Sequence, residues 1–495
     1  MNKSNNRTKS ATRLLIVILS ISMIFTLTGC TKQGEGNGNE ETITLRILEN
    51  DTAKQKGYLD ELLNAFNEAY KDKGIQAVDA NMEEYSDLAA NGPYGYGPDV
   101  IYQANDKLMT YAEDKHILPL SVEEYDCYEY IPQEAWDAFC ISMDGKAYVC
   151  GIPVNIQEPM LFYREDQMPE NWEKEWDDNQ NGVADFFENW NDLYAYSKYL
   201  RDTDTSANKD SQYGYMTSWN DLYLNGHFLF SYGAYIFGEN EDNTLDSSDI
   251  GLSAKDSAMG MNGLRQFAAL MNEGCIDDTI KLNRYEKIAN GSYFCTVSTP
   301  DTYSLFLDKL ILQYEEEGLS SEEASKKATD NLKMIELPAQ MPANGDMTKD
   351  SSKMTSNDWV QTIVMGGVNG YGISSYTKHR EACVEFVNFA TSYEMIKLRM
   401  DLLGIAPTRS DVSAESGGIT DMIFHSLEAG HIYLMPSIKA IDQVWVPVHT
   451  LLGDLAKDPF REKAGDTLKY TSKEDIQKAL EKVDKDIYDA IYTLK

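Results

Sequence analysis

The chain reads Ile43-Thr44-Leu45-Arg46-Ile47-Leu48 at its first strand-like stretch and Gly97-Pro98-Asp99-Val100-Ile101-Tyr102 at its second. In the first stretch apolar and polar side chains alternate, which is the period of a β-strand. In the second, a turn signal precedes a short apolar run. A stripe of apolar residues at helical spacing lies between them: Leu59, Leu62, Leu63, Phe66 and Tyr70. Strand, helix and strand in this order predict an α/β fold with parallel pairing.

The same alternation returns near the C-terminus. Residues 368–373 form a glycine-containing strand pattern, and apolar residues at helical spacing follow it, namely Cys383, Phe386, Val387 and Ala390. The chain ends in an amphipathic helix pattern that begins at Ser472-x-x-Asp475, a spacing typical of a capping box. Residues 344–357 are polar without periodicity, which predicts a loop or a crossing between two parts of the fold.

The N-terminus has the pattern of a secretory signal. Basic residues precede an apolar run from Leu14 to Leu27, which is shorter than the roughly 20 residues that span a bilayer. The run ends in Leu27-Thr28-Gly29-Cys30, which resembles the lipobox of bacterial lipoproteins. The resemblance implies that Cys30 is lipidated and anchors the protein at the extracellular face of the cell membrane. The alternatives are an ordinary signal peptide with a chance cysteine, or an uncleaved anchor.

Charge and cysteine content limit the function classes. The formal net charge of −36 would repel phosphate backbones and anionic lipid headgroups, so nucleic acid is not expected as a partner. The cysteines beyond Cys30 form no CxxC pair and no Cys/His spacing typical of zinc. Disulfides and buried free thiols are both compatible with their positions.

Several segments resemble, in order, the maltodextrin-binding branch of the extracellular solute-binding proteins of ABC transporters. The segments are residues 95–107 (GYGPDVIYQANDK), 152–163 (IPVNIQEPMLFY), 232–237 (YGAYIF), 404–409 (GIAPTR) and 435–438 (MPSI) with Trp445 beyond. Their order covers nearly the whole chain after the signal. The last of them is the most specific.

This resemblance implies a periplasmic-binding-protein-like fold, with two α/β lobes, a hinge and a ligand cleft between the lobes. It implies no enzymatic activity, no required cofactor, an oligosaccharide ligand, and delivery of that ligand to the permease subunits of an ABC importer. It divides the chain into a signal peptide (1–29), a flexible tether (30–41), the first segment of lobe 1 (42–154), the first segment of lobe 2 (155–340), a crossing back to lobe 1 (341–408) and C-terminal helices of lobe 2 (409–495).

Polar residues beside aromatic ones suit a sugar, whose hydroxyl edges need hydrogen-bonding partners and whose C–H face packs on a ring. Asn105, Asp106 and Lys107 directly follow a predicted strand, where open α/β sheets bind ligands. The other interpretation is a helix start, with Asp106 at the positive end of the dipole. The resemblance implies that Trp445 stacks on a sugar ring, although a tryptophan among valines is also typical of a core.

The resemblance extends to further cleft residues. Asp221 and Tyr223 correspond to an acid and a stacking tyrosine of the family, or else lie in a surface loop. Lys56 matches a polar ligand-binding position, and Gln157 and Glu158 fall near a cleft glutamate, with the register uncertain by one residue.

The chain departs from the family where some stacking residues are expected. Gln103 and Asp301 stand where the family has tryptophans, His449 stands where an arginine is typical, and Tyr303 could substitute for one ring. With fewer stacking rings and more hydrogen-bonding groups, the identity of the sugar is not determined. Another oligosaccharide is therefore an alternative to malto-oligosaccharides.

Residues 177–188 (DDNQNGVADFFE) fit the 12-residue EF-hand loop. The expected calcium ligands are Asp177, Asn179, Asn181, the carbonyl of Val183, Asp185 and Glu188, with Gly182 at the sharp turn. The alternative is a solvated polar turn. A structural calcium ion in an insertion of lobe 2 is the prediction.

The rival class is a secreted glycoside hydrolase, which needs two carboxyl groups about 5–10 Å apart. With 80 acidic residues, composition cannot test such a pair. The sequence contains no GxSxG, HExxH or phosphate-binding glycine motif. A third possibility, a lipoprotein adhesin or chaperone-like module, has no segment that supports it.

Overall fold

The computed structural model describes residues 42–143, 146–240, 244–276 and 280–493. The predicted signal peptide, Cys30 and tether lie outside the described residues. The part of the chain from Thr42 onward forms one compact unit.

The strands are β1 Ile43–Leu48, β2 Ile75–Asp79, β3 Val100–Ala104, β4 Cys140–Met143, β5 Lys146–Val149, β6 Ile152–Gln157, β7 Met160–Arg164, β8 Tyr213–Met216, β9 Tyr235–Glu239, β10 Leu245–Gly251, β11 Tyr293–Ser298, β12 Leu332–Ile335, β13 Gln340–Pro342, β14 Trp359–Gln361, β15 Val364–Ile373, β16 Ala406–Pro407 and β17 Ile432–Leu434.

The helices are α1 Asp51–Gln55, α2 Tyr58–Tyr70, α3 Leu88–Asn91, α4 Asn105–Glu113, α5 Gln133–Asp137, α6 Trp172–Glu175, α7 Asp185–Glu188, α8 Trp190–Thr203, α9 Leu222–Asn225, α10 His227–Phe230, α11 Ser257–Ala268, α12 Ile280–Ala289, α13 Tyr303–Glu316, α14 Ser321–Asn331, α15 Arg380–Ala390, α16 Tyr393–Leu403, α17 Ser410–Ser416, α18 Gly418–Glu428, α19 Trp445–Lys457 and α20 Lys473–Thr493.

The first large sheet has the strand order β16-β6-β15-β3-β1-β2, with β17 also paired to β15. β1 pairs in parallel with both β2 and β3, which confirms the parallel pairing predicted from the strand-helix-strand pattern. β15 runs antiparallel to β3 and β6, so the sheet is mixed. Because β15 enters the middle of the sheet from late in the sequence, the N-terminal and C-terminal parts of the chain share one core.

The second large sheet has the order β12-β7-β11-β8. β8 and β11 are parallel, and β7 is antiparallel to β11 and β12. Only Glu158 and Pro159 separate β6 of the first sheet from β7 of the second. The chain therefore passes from one sheet to the other at Glu158.

Local sequence accounts for the ends of several helices. Gly57, with φ of +80°, precedes α2, whose apolar stripe is buried as its spacing predicts. The predicted capping box of α20 is present, because the Asp475 backbone N–H donates to Ser472 Oγ (3.2 Å) and the Ser472 backbone N–H donates to the Asp475 carboxylate (3.0 Å). Residues 344–357 form a loop with short 3-10 turns, as the sequence indicates.

A buried ion pair joins the end of β1 to α16. Glu49 and Arg399 are 0% and 1% exposed, and Arg399 Nη1 lies 2.7 Å from Glu49 Oε1. The Tyr371 hydroxyl also donates to Glu49, and the guanidinium lies 4.0 Å from the centre of the Tyr102 ring. The two terminal guanidinium nitrogens of Arg399 both contact the Glu49 carboxylate, and this close pairing compensates for the burial of the two charges.

Cysteines 127, 140, 150, 275, 295 and 383 are free thiols, four of them buried. Within the described residues the choice left open by the sequence is therefore resolved in favour of thiols. Burial raises the pKa of the Cys150 thiol to about 12, so this group is inert as a nucleophile at neutral pH.

Among the residues that the structure describes, no helix combines the length and the hydropathy that crossing a bilayer would require.

Candidate functional site

The candidate site lies where four chain segments leave their strands. Asp106 lies in the first turn of α4 after β3, Glu158 follows β6, Tyr223 lies beyond β8, and Asp301 lies in a short 3-10 turn beyond β11. The first two strands belong to the first sheet and the last two to the second. The site therefore draws side chains from both sheets at their point of connection.

Tyr223 is at the centre of this group. Its hydroxyl donates a hydrogen bond to the Gln157 carbonyl oxygen at 3.2 Å, which links the second sheet to the last residue of β6. Burial raises the pKa of this phenol well above 10, and the charges of Glu158, Asp301, Asp221 and Asp106 raise it further. The structure thus brings together five of the residues that the sequence predicts for the cleft.

Glu158 is a buried acid without full hydrogen bonding. Its side chain is 3% exposed, and Oε1 has no hydrogen-bond partner within the described part of the chain. Burial, followed by the charge of Glu336, raises its pKa well above the ordinary value. A buried carboxyl group with a free oxygen can accept a hydrogen bond from a sugar hydroxyl when it is ionised, and it can donate one to that hydroxyl when it is protonated.

Asp106 and Lys107, adjacent in sequence, point to different surroundings. Asp106 is partly buried, and burial raises its pKa, with the charge of Asp442 adding to the effect. Lys107 is exposed, and its Nζ lies 4.9 Å from the centre of the Tyr111 ring. The acid faces the site while the cation lies over an aromatic ring of its own helix.

Asn105 and Gln103 are held by the protein. The Asn105 amide donates to the Met435 carbonyl (2.8 Å) and to Ser437 Oγ (2.7 Å), and its oxygen accepts from the Val368 backbone N–H (3.2 Å). Gln103 Nε2 donates to the Glu84 carbonyl at 2.6 Å. Both side chains therefore position neighbouring loops in this conformation, and Asn105 fixes the Met435–Ser437 loop that precedes Trp445.

Asp221 has two structural tasks at the start of α9. Its Oδ1 accepts from the Tyr223 backbone N–H at 2.9 Å as the N-cap, and its Oδ2 lies 2.9 Å from Lys281 Nζ. Because this cap fixes the start of α9, it also positions the Tyr223 ring, which lies in the first turn of that helix. The sequence does not predict Lys281 as a site residue, because it lies 60 residues beyond Asp221 in a helix of ordinary composition.

Two residues on the first-sheet side were also missed from the sequence. Glu84 and Tyr85 lie in the loop between β2 and α3, and Asp301 is among the charges that raise the pKa of both groups. Tyr85 is 78% exposed, which is unusual for a ring. It offers an aromatic surface near Asp301, where the resemblance implies a lost tryptophan. Tyr303, at the start of α13, is half-buried, and burial raises its pKa.

Trp445, His449 and Lys56 complete the predicted set. Trp445 is the half-buried first residue of α19, with its ring centre 5.9 Å from that of His449. α19 packs against α9, so the indole and Tyr223 lie on neighbouring helices. Lys56 is exposed at the end of α1, and its backbone N–H donates to the Thr52 carbonyl at 2.9 Å.

The loop at residues 177–188 has the hydrogen bonding of a tight oxygen-rich turn. The Asp177 carboxylate, 8% exposed, accepts from the backbone N–H groups of Asn181 (3.1 Å) and Gly182 (3.0 Å), and Gly182 has φ of +83°. The Glu188 carboxylate accepts from the side-chain amides of Asn179 (2.8 Å) and Asn181 (2.7 Å).

Asp185 and Val183 lie in the same turn. Burial, with the charges of Asp192, Asp178 and Glu188, raises the pKa of Asp185 to about 6. Val183 is exposed. No set of three or more His, Cys, Asp or Glu side chains in the described chain is grouped like metal ligands, so much of any coordination would come from asparagine and backbone oxygens.

A family model described as "Bacterial extracellular solute-binding protein" matches residues 61–423, which is most of the chain. The chain belongs to this family. The family consists of binding proteins and not of enzymes, and the convergence of polar groups in this solute-binding protein is consistent with that class.

Curated relatives of this solute-binding protein include the galactooligosaccharide-binding protein of Bacillus subtilis, 21% identical over 90% of this chain and 93% of the relative. The maltodextrin-binding protein MdxE of the same organism is 24% identical over 46% of this chain and 48% of its own.

Among solved structures, the maltose-binding protein MalE of Listeria monocytogenes, in complex with maltose, has a TM-score of 0.66 at 18% identity. The match covers 91% of this chain and 98% of that one. This similarity confirms the predicted periplasmic-binding-protein-like α/β fold.

Proposed function

We propose that this solute-binding protein captures an oligosaccharide, of the malto type or a related one, and delivers it unaltered to the permease subunits of an ABC importer. The observation that carries the proposal is the convergence of Asp106, Glu158, Tyr223 and Asp301 from two sheets at their connection. Carboxyl and phenol groups there can bind sugar hydroxyls, while Trp445 supplies a ring for a C–H face. The relatives named for sugars support the same ligand class.

In this proposal the two sheets are the cores of the two lobes. The hinge consists of Glu158, of the segment 341–408 that crosses back to lobe 1, and of the return to lobe 2 at residue 409. Sugar contacts both lobes fully only when they close, and this difference in affinity shifts the population to the closed form. Cys30 carries the lipid anchor that holds the protein at the extracellular face of the membrane.

Titration calorimetry of the purified chain against maltotriose, maltose, cellobiose and xylo-oligosaccharides tests the proposal. Heat of binding for at least one, with the sugar recovered intact, is the expected result. If no saccharide changes the heat, the melting temperature or the tryptophan emission, the proposal is wrong. Shortened glycans in the recovered sample would instead favour the hydrolase alternative.

We infer further that the loop at 177–188 binds a structural calcium ion. The candidate ligands Asp177, Asn179, Asn181, Asp185 and Glu188 lie in one tight turn, as their mutual hydrogen bonds require. Oxygens in this number and spacing suit calcium, with the Val183 carbonyl completing the set. The ion would fix the segment between α6 and α8, and it has no part in binding sugar.

The Asp177→Ala, Glu188→Ala double variant should lose calcium affinity and keep sugar affinity, as measured by calorimetry for each ligand. Asp178→Ala with Glu175→Ala removes two charges beside the proposed ligands and serves as the matched control, which should retain calcium. An unchanged calcium titration in the first variant refutes the site.

A further inference from the structure

A cavity of about 210 Å³ adjoins the candidate site on the second-sheet side. Its lining residues are Asp221, Tyr223, Leu224, Lys281, Arg284, Ser298 and Thr299. It lies at the carboxyl end of β11, whose last residue is Ser298, and α9 and α12 supply its other walls. Through Asp221 and Tyr223 the cavity is continuous with residues already placed in the cleft.

Arg284 is a buried cation in this wall that has no carboxylate partner among the residues that the structure describes. It is 9% exposed, its Nη1 and Nη2 make only long bonds of 3.3 Å to the Val297 carbonyl and the Tyr285 hydroxyl, and its Nε has no partner. No carboxylate of the described residues lies within 4 Å of its guanidinium nitrogens. A buried charge held only by neutral groups is costly, so such a group calls for an anion.

The other cation in the cavity is already neutralised. Lys281 Nζ pairs with Asp221 at 2.9 Å, and the Asp221 carboxylate is fixed as the cap of α9. With that pair cancelled, Arg284 leaves the described lining residues with one net positive charge. The hydroxyl side chains Ser298 and Thr299 add neutral hydrogen-bonding groups to the same wall.

We propose that this cavity is a subsite for the carboxylate of an acidic sugar unit, with Arg284 as its partner. The inference rests on the proposed oligosaccharide binding and narrows its substrate class to glycans that contain a uronic acid. The unpartnered Nε and the weakly bound Nη2 form the fork that a carboxylate binds in bidentate fashion.

The charges around Tyr223 determine the orientation of such a ligand. Glu158, Asp301 and Asp106 act on Tyr223 together with Asp221, whereas the cation Arg284, which has no carboxylate partner in the described part of the chain, lines the cavity. The acidic unit enters the cavity, and neutral units extend past Tyr223 toward the carboxyl groups, because the reverse orientation would place like charges together.

The test is calorimetry on the purified chain with paired probes: trigalacturonate and its methyl ester, and a glucuronic-acid-substituted xylobiose and its methyl ester. In each pair the ring framework is constant and the charge is removed. We expect at least one acid to bind about tenfold or more tighter than its ester, a difference that shrinks as salt screens the charge.

Variants on α12 assign the effect to Arg284. Arg284→Gln should remove the preference for the acid while leaving ester affinity within about twofold, and Arg284→Lys should retain part of the preference. Lys287→Gln, one turn further along α12, removes a charge outside the cavity and should behave as the parent. Melting curves of each variant identify any that fails to fold, in which case Arg284→Lys carries the comparison.

Three outcomes overturn the inference: esters that bind as tightly as acids, neutral oligosaccharides that bind while neither acid does, or an Arg284→Gln variant that keeps the preference. Absence of binding by every saccharide, neutral or acidic, would overturn the proposed function as well. The two failures are therefore distinguishable in one set of titrations.

Discussion

Glu158 is a residue whose place in the candidate binding site lowers the stability of the folded protein. Its pKa is raised in the folded protein by burial, whereas in the unfolded chain a glutamate titrates near about 4.3. A raised pKa means that folding is favoured most below the unfolded value, and that stability is lost as pH rises toward the folded value. Burial of this acid is therefore a cost at neutral pH that ligand contact can offset.

Glu158→Gln should melt several degrees above the parent at pH 7.5 and close to it at about pH 4, because the amide carries no charge to bury. Differential scanning calorimetry across this range measures the effect. Glu316→Gln, at an exposed position in α13, should show no such pH-dependent difference. A gain of equal size at both pH values would contradict the assignment to ionisation.

Trp445 is the residue expected to stack on the sugar. Trp445→Ala should weaken oligosaccharide binding by about 10- to 100-fold, which corresponds to about 1.4–2.7 kcal/mol. Trp445→Phe should recover part of the loss, because a smaller ring still covers the C–H face. Val446→Ala, at a 73% exposed neighbour, is the control. Equal affinities in all four proteins, measured by calorimetry, would exclude stacking.

At the scale of elements, the Glu49–Arg399 pair connects β1 to α16, which are far apart in the sequence. Arg399→Met should lower the free energy of unfolding by about 3–5 kcal/mol, because Glu49 would be left charged and buried. Urea denaturation measures the change. The Glu49→Gln, Arg399→Met double variant should recover part of it, and Lys397→Met, which removes an exposed pair with Asp401, should change stability by less than about 1 kcal/mol.

At the scale of the whole molecule, ligand binding should both compact and stabilise the protein. A saturating sugar at 100 times its dissociation constant adds about 2.7 kcal/mol to the free energy of unfolding, since it binds only the folded form. Calorimetry should show a higher melting temperature, and small-angle scattering a smaller radius of gyration. Stabilisation without a change in radius would argue against lobe closure.

The sequence by itself determined the elements whose signals are local. The alternation in β1, the apolar stripe of α2, the turn before β3 and the capping box of α20 each depend on residues within one or two turns of each other, and all are present. The order of short motifs also indicated the family, since such order survives when overall identity is low.

The tertiary structure alone decided which polar side chains are available to a ligand. Asn105 is bound by groups 330 and 332 residues away, and Lys107 lies over Tyr111, although both follow a strand end as ligand residues do. No local sequence pattern marks Arg284 or Tyr85 as a site residue. Arg284 is of interest because it lines the cavity, and Tyr85 because it lies near Asp301. Strand pairing between distant segments creates these surroundings, and no spacing within a short stretch of sequence specifies them.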